Sequence, residues 1–334
     1  MSSTDALADP EVPVRPRTAA GGATPSCVAI VGPTGSGKTS LALAVARLLD
    51  GEIVSMDSRQ AYRGFAVGTA APTEAELRAA PHHGVGFLGP DEPYGAGRFA
   101  ALATGWVDDI ARRGRVPILA GGTGLFLRAL THPMFSEPPV AEPRKRAVRA
   151  WIDSVPATDL LRWVHRLDPD LVSRRGAVDP QRAGRTIELT LLTGFPLSWW
   201  ITNGSPERRP IRVSVFALDH PAEKLRERIR VRAVRMFESG GWRAEVDRLL
   251  AAGLEDASAF DAVGYRHVAA WSRGEIDRSR AIDRVVSDTW AYARRQRTWF
   301  RHQLPTGSVR LDGQMPTEQL ARRIAEDRDA RVDK

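Results

Sequence analysis

The stretch that decides the fold is Cys27-Val28-Ala29-Ile30-Val31 followed by Gly32-Pro33-Thr34-Gly35-Ser36-Gly37-Lys38-Thr39. An apolar run, a glycine-rich turn and then an apolar-rich helical stretch from Ser40 to Leu49 make a strand, loop and helix unit. The eight residues of the turn satisfy G-x-x-x-x-G-K-[ST], the pattern of a phosphate-binding loop. Its glycines permit a tight curl whose backbone N–H groups point inward, the following helix adds its positive N-terminal end, and Lys38 supplies a point charge. Thr39 is a candidate ligand for Mg²⁺.

Outward from this unit, a second strand over Glu52 to Met56 ends at Asp57-Ser58. A third, Val116 to Ala120, ends at Gly121-Gly122-Thr123-Gly124 and leads into a helix of Leu125, Phe126, Leu127, Ala129 and Leu130. Strands alternating with helices imply an α/β fold, a P-loop NTPase-like parallel sheet with helices on both faces. Ligands of such sheets bind beyond the carboxyl ends of the strands, so the three polar motifs are expected to converge on one site.

The organisation expected along the chain is a disordered tail over 1–24, the first part of the core over 25–130, a helical insertion domain over 131–200, a second part of the core over 201–305 and a C-terminal tail over 306–334. From Thr131 the strand signal disappears and prolines 133, 138, 139, 143 and 156 border helical segments. A strand resumes at Arg212 to Leu218, and Asp219-His220-Pro221 starts a long helix, with proline suited to a first turn.

With 43% hydrophobic residues in 334, the chain can bury a sizeable core. Its only cysteine, Cys27, excludes an intramolecular disulfide and any cysteine-based metal site. No stretch reaches the roughly 20 apolar residues of a membrane span and the first 24 residues lack the apolar core of a secretory signal, so a cytoplasmic protein without a membrane partner is expected. A monomer is expected as well. The formal charge is +8, nearly all of the positive charge being arginine, with lysine only at 38, 145, 224 and 334. That excess favours a polyanionic partner but equally fits ordinary solvated faces. His82-His83 lacks the companions of a metal site and reads as structural.

A phosphate loop does not say which phosphate. ATPases with this loop add a carboxylate at the end of a core strand to hold metal through water, whereas here the third strand ends in Gly-Gly-Thr. Small-molecule kinases and pyrophosphate-using transferases remain.

Read together, GPTGSGKT, SMDSRQAYRG, GTAAP, AAPHH, YGAGRF, PILAGGTGLFLRAL, DPQRAGRTIE, VGYR and YARRQRTWFR, in this order over about residues 26 to 302, resemble the tRNA dimethylallyltransferase (tRNA isopentenyltransferase) family. The resemblance implies transfer of a dimethylallyl group from dimethylallyl pyrophosphate to the exocyclic N6 of the adenine 3′ of the anticodon, in the anticodon loop of tRNA, with Mg²⁺ as cofactor. In that reading Gly32, Pro33, Thr34, Gly35, Ser36, Gly37, Lys38 and Thr39 hold the departing pyrophosphate, with Arg228 reaching it from the second half of the chain. Asp57 is the general base and Thr123 sits beside the reacting centre. The tRNA surface takes in Asp57, Ser58, Arg59, Gln60, Thr123, Arg146, Gln181, Arg182, Arg185, Gly264, Tyr265 and Arg266. An adenine must leave its stack before N6 can be reached, which calls for a channel and a grip on its neighbours.

Plainer readings stand beside these. An aspartate at a strand end also serves as a helix cap, Gly-Gly-Thr-Gly needs no chemistry to form a turn, Arg228 is equally a solvated helix charge, and Trp299 and Phe300 are equally core anchors. The chain also departs from the family pattern: Ala71 replaces a lysine, Trp290 an arginine and Phe126 a tyrosine. Rival functions are an isopentenyltransferase on free adenine nucleotides, a small-molecule kinase, and a silent RNA-binding paralogue.

Overall fold

The computed structural model describes residues 26–132, 135–136, 139–176, 178–206 and 208–332; the tail expected over 1–24 lies outside them. Six strands form one sheet: β1 (Ser26–Val31), β2 (Gly51–Ser55), β3 (His82–His83), β4 (Val116–Gly121), β5 (Arg212–Asp219) and β6 (Val309–Asp312). Their spatial order is β3-β2-β4-β1-β5-β6, and every pairing is parallel. The expected strands are thus present, with β2 beginning and ending one residue earlier than its sequence suggests.

Side chains alternate along each strand, so the sheet builds two cores. Cys27, Ala29 and Val31 of β1 join Leu119, Val215 and Ala217 on one face, where helices Ala96–Arg112 and Gly124–Thr131 bring Phe99, Val107, Ile110, Phe126 and Leu127. Burial, with Asp108 nearby, pushes the Cys27 thiol up to about 12, so it is an inert core residue. Val28 and Ile30 point the other way and meet Ile118, Phe216 and Leu218 beneath helix Lys38–Leu49.

That second face corrects the reading of 306–334 as a tail. Val309–Asp312 pairs in parallel with β5, and the helix Thr317–Val332 closes the same core with Leu320, Ala321 and Ile324. A third core lies among the helices that follow β5, where Phe65, Phe260, Trp242 and Tyr265 pack with Val268, Val285 and Ala293.

The chain divides into two compact units, one of residues 134–209 and one comprising the sheet with its helices. The helical unit therefore runs nine residues past the expected end at 200. The reason is local: buried Asp168 accepts Leu171 N (3.1 Å) with one oxygen and Ser198 N (2.9 Å) with the other, capping helices Pro169–Arg175 and Leu197–Asn203 at once. Its own core is Ile152, Leu160, Val164, Leu171, Ala183 and Ile187.

Candidate active site

β1 ends at Val31 and the chain curls into the phosphate loop. A Cβ on Gly32 would stand 2.4 Å from the Leu218 carbonyl oxygen, so only glycine lets the loop lie this close to β5. Gly37, at φ 95°, turns the chain into helix Lys38–Leu49 in the left-handed region.

The loop is clasped by side chains from far along the sequence. Thr34 N donates to Gln296 Oε1 (2.8 Å), Arg232 donates to Thr34 Oγ1 (2.9 Å) and Arg228 Nε donates to the Gly35 carbonyl (2.8 Å). The ring Nε2 of buried His220 lies 2.8 Å from the Ser36 carbonyl, and Lys38 Nζ donates to the Pro33 carbonyl (2.7 Å).

A cavity of about 1000 Å³ opens over the loop, within the range that houses small-molecule ligands. Thr34, Gly35, Gly37, Lys38 and Thr39 line it together with Asp57 to Gln60 from the end of β2, Gly121 and Gly122 from the end of β4, and Arg228, Arg232, Tyr292 and Gln296. The three polar motifs do converge. Met56 O accepts Thr123 N (3.3 Å) and Thr123 Oγ1 accepts Ser58 N (3.4 Å), tying the second motif to the third.

The electrostatics are those of a cation cluster awaiting an anion. Burial brings Lys38 down to about 8, against the pull of Asp57 and with a further push from Arg232. Burial likewise lowers Arg232, again opposed by Asp57. Asp57 Oδ1 accepts Arg59 N (2.8 Å) and Gln60 N (3.4 Å), a capping geometry, while Oδ2 has no hydrogen bond among the described residues. The cap therefore orients the carboxyl group and leaves one oxygen for a proton.

Residues 60–303 match the family model described as IPP transferase, and residues 25–82 one described as Isopentenyl transferase. The chain belongs to the IPP transferase family. A tRNA dimethylallyltransferase of Caulobacter sp. (strain K31) is 42% identical over 280 residues, covering 83% of this chain and 90% of the relative. That of Anaeromyxobacter dehalogenans (strain 2CP-C) is 42% identical over 300 residues, covering 89% and 98%. Among solved structures, the tRNA delta(2)-isopentenylpyrophosphate transferase of Staphylococcus epidermidis is 29% identical with a TM-score of 0.66, covering 92% of this chain and 99% of that one.

Within this IPP transferase, the site residues named from sequence divide into groups. The phosphate loop, Asp57, Ser58 and Arg228 surround the cavity. Thr123 joins this group through the hydrogen bond that its Oγ1 accepts from Ser58 N. Exposed Thr39 lines the cavity on the first helical turn. Arg59 lines it too and donates to Ser258 O (2.7 Å).

One expectation for the RNA surface is corrected, that for Tyr265. Gln60 is half-buried and lines the cavity, where its side chain accepts Ser55 Oγ (3.1 Å) and donates to Thr69 O (3.3 Å) and Ala70 O (3.0 Å), bracing the cavity wall. Tyr265 is wholly buried, its hydroxyl donating to Glu245 (2.6 Å), so it anchors its helix and presents nothing to a ligand. Neighbouring Gly264 is buried against Trp242, and Arg266 is exposed and paired with Asp261 (2.8 Å).

On the helical unit, Arg146 is exposed on helix Glu142–Ser154, and Gln181, Arg182 and Arg185 ride helix Pro180–Thr193. Arg185 pairs with Glu188 (2.7 Å) and Arg182 lies 3.5 Å from Asp179. Of the departures, Ala71 lines the cavity, Phe126 is core and stacks on Phe99 (4.2 Å, 9°), and Trp290 packs half-buried against the third core. Phe300 is core and Trp299 packs half-buried beside it. His83 Nε2 meets Glu52 at 2.7 Å, and His82 Nδ1 the Ala80 carbonyl at 2.8 Å, which is a structural role for both.

Sequence reading missed Gln296, Arg232, His220, Tyr292 and Glu245. The signal was available for Gln296 alone, an uncharged polar residue on the inward face of an otherwise basic helix. Glu245 accepts Ala66 N and Val67 N (2.8 Å each) and Gly68 N (3.1 Å), pinning the loop that forms the cavity wall.

Proposed function

We propose that this IPP transferase moves a dimethylallyl group from dimethylallyl pyrophosphate to N6 of the adenosine 3′ of the anticodon, position 37, in tRNA, acting as a cytoplasmic monomer. The observation that carries the reading is the meeting of a carboxylate, Asp57, with a cation-lined phosphate loop across one cavity. The N6–C1 bond forms as the C1–O bond breaks, the amine proton passes to Asp57 and pyrophosphate leaves into Gly32 to Thr39. Negative charge grows where Lys38 and Arg228 stand, which is where fixed cations lower a barrier most. An aromatic amine is a poor nucleophile, so orientation by the cavity supplies much of the rate.

Mg²⁺ belongs to the proposal. No cluster of three or more acidic, histidine or cysteine side chains is available to it among the described residues, so Thr39 would hold it together with the substrate's own oxygens. Bound there, it would neutralise charge on the pyrophosphate. Arg59, Arg146, Gln181, Arg182, Arg185 and Arg266 are the side chains offered to RNA.

The test is incubation with dimethylallyl pyrophosphate, Mg²⁺ and a tRNA carrying adenosine 37, followed by nucleoside mass spectrometry. A prenylated adenosine at that position is expected. Prenylation of AMP or ATP with none on tRNA would refute the RNA reading, and ATP turnover with a small alcohol would refute the transferase itself.

A further inference from the structure

The sheet joins the phosphate loop to the turn after β4 only as far as its strands run. β1 and β4 pair in parallel up to Val31 and Gly121. Past that pair a side chain continues the connection. Gln296, on helix Arg278–His302 and 6% exposed, accepts Thr34 N with Oε1 (2.8 Å) and donates from Nε2 to the Gly122 carbonyl (2.9 Å). A carboxamide offers acceptor and donor side by side, whereas a glutamate would set a second oxygen against the Gly122 carbonyl and a methionine would offer neither. The approach is close, since a Cβ on Gly122 would stand 2.3 Å from Nε2. The Gly122 end is tied in turn to the end of β2. Ala120 O accepts Met56 N (2.7 Å) and Met56 O accepts Thr123 N (3.3 Å), and Asp57 is the next residue.

We propose that Gln296 is a positioning residue that fixes the span between the phosphate loop and the Asp57 carboxylate, taking the place of a β1–β4 rung beyond Val31 and Gly121; the assignment rests on the transferase reading above. Transfer needs two partners held by different strand ends, the leaving pyrophosphate on the loop after β1 and the attacking amine at Asp57 after β2. Thr34, Gly122, Asp57 and Gln296 all line the one cavity in which they must meet. The grip on pyrophosphate is assigned to Lys38, Arg228 and the loop amides from Gly35 to Thr39, none of which hydrogen-bonds Gln296 among the described residues. Without Gln296 each partner still has its own holder, but the distance and angle between the holders are no longer set. Misplacement of reacting atoms by about 1 Å can cost roughly a hundredfold in rate, so the loss falls on the chemical step and spares binding.

Gln296→Met removes both hydrogen bonds at nearly constant length, and Gln296→Glu keeps the Thr34 bond while losing the Gly122 one. Titration with inorganic pyrophosphate counts the folded sites, and tRNA prenylation is then measured per site. In both variants kcat per site is expected to fall by roughly 30- to 100-fold, with the Kd of pyrophosphate and the KM values of dimethylallyl pyrophosphate and tRNA within about threefold of wild type. On an Asp57→Ala background, Gln296→Met should cost less than about threefold more, since the span it sets no longer leads to a base. A glutamine that serves only the fold would lower the melting temperature and leave kcat per site unchanged. That result, loss of pyrophosphate binding in both variants, or losses that multiply with Asp57→Ala would each overturn the assignment. A wild type that binds pyrophosphate but prenylates no tRNA would instead sink the transferase reading and this assignment with it.

Discussion

Glu245→Gln tests how the cavity wall is held. The glutamate is 2% exposed on helix Gly241–Ala251, and its two oxygens accept four hydrogen bonds, from Ala66 N, Val67 N, Gly68 N and the Tyr265 hydroxyl. Glutamine has the same shape but one oxygen and one NH₂. If its oxygen serves Ala66 and Val67, its NH₂ confronts Gly68 N–H and the tyrosine. Tyr265 can rotate its proton away and accept, but the Gly68 amide cannot. One buried donor is left facing another, at a cost of about 1–3 kcal/mol, and the surviving bonds lose their ionic assistance, for a total of about 2–4 kcal/mol. Hydrogen exchange at the amides of residues 66–68 should therefore accelerate by roughly 30- to 800-fold, while β1 and β4 stay protected. The KM of the transfer reaction should rise with it, because the loop lines the cavity. Acceleration of less than about threefold would refute the idea that this carboxylate holds the wall.

Three further outcomes follow from the same geometry. A pyrophosphate anion stabilises the charged form of Lys38, which burial holds at about 8, so binding above that pH must draw in a proton. Calorimetry of inorganic pyrophosphate at about pH 8.5 in buffers of different ionisation enthalpy should report proton uptake that Lys38→Met removes, and equal uptake in both proteins would refute it. For Glu52, burial alone would raise the carboxyl, but hydrogen bonds from His83, Arg113 and Arg115 hold it at about 2, so its contribution to stability is complete above about pH 4.5 and lost as pH falls toward 2. Glu52→Gln should flatten the melting temperature across that window, and an unchanged acid limb would count against it. Gly124→Ala drives a methyl into Trp299 and should lower stability by about 1–3 kcal/mol in urea titrations as well as slowing transfer; a neutral effect would show that the turn yields.

The phosphate loop, Asp57 and Thr123 were legible in the sequence because each is a local pattern at the end of a strand whose apolar run announces it. The edge of the sheet was not. β3 is two histidines, and β6, Val309-Arg310-Leu311-Asp312, earns its place through backbone pairing to β5 while burying only Leu311. The helix after it shows a thin apolar stripe of Leu320, Ala321 and Ile324 among charged residues, which is why its segment read as a tail. Buried polar residues were the other blind spot. Glu245 looks like a surface residue of an amphipathic helix until the backbone groups it satisfies, more than 170 positions away, are brought to it. Tyr265 misled in the opposite sense, since a tyrosine beside an arginine reads as an RNA contact while its ring fills a core.

The long reach of these contacts also explains how the site tolerates interruption. Helix Gly124–Thr131 ends just before the helical unit of 134–209, and β5 begins just after it. Ile211 N donates to the Leu130 carbonyl (3.0 Å), so the chain leaves the sheet-bearing unit and returns to it at adjoining points. No strand register has to change to accommodate the excursion, since β5 takes its place by pairing with β1, far upstream. Once β5 is seated, its end carries His220 to the Ser36 carbonyl, and the helix Ala222–Glu238 that follows carries Arg228 to Gly35 and Arg232 to Thr34. The phosphate loop is thus shaped by residues that follow the excursion, and the polar end of β4 by a helix later still. Pre-set contacts of this kind leave little reorganisation to be met when an anion arrives, and the lowered affinity of Lys38 for its proton marks the charge that such an anion would restore.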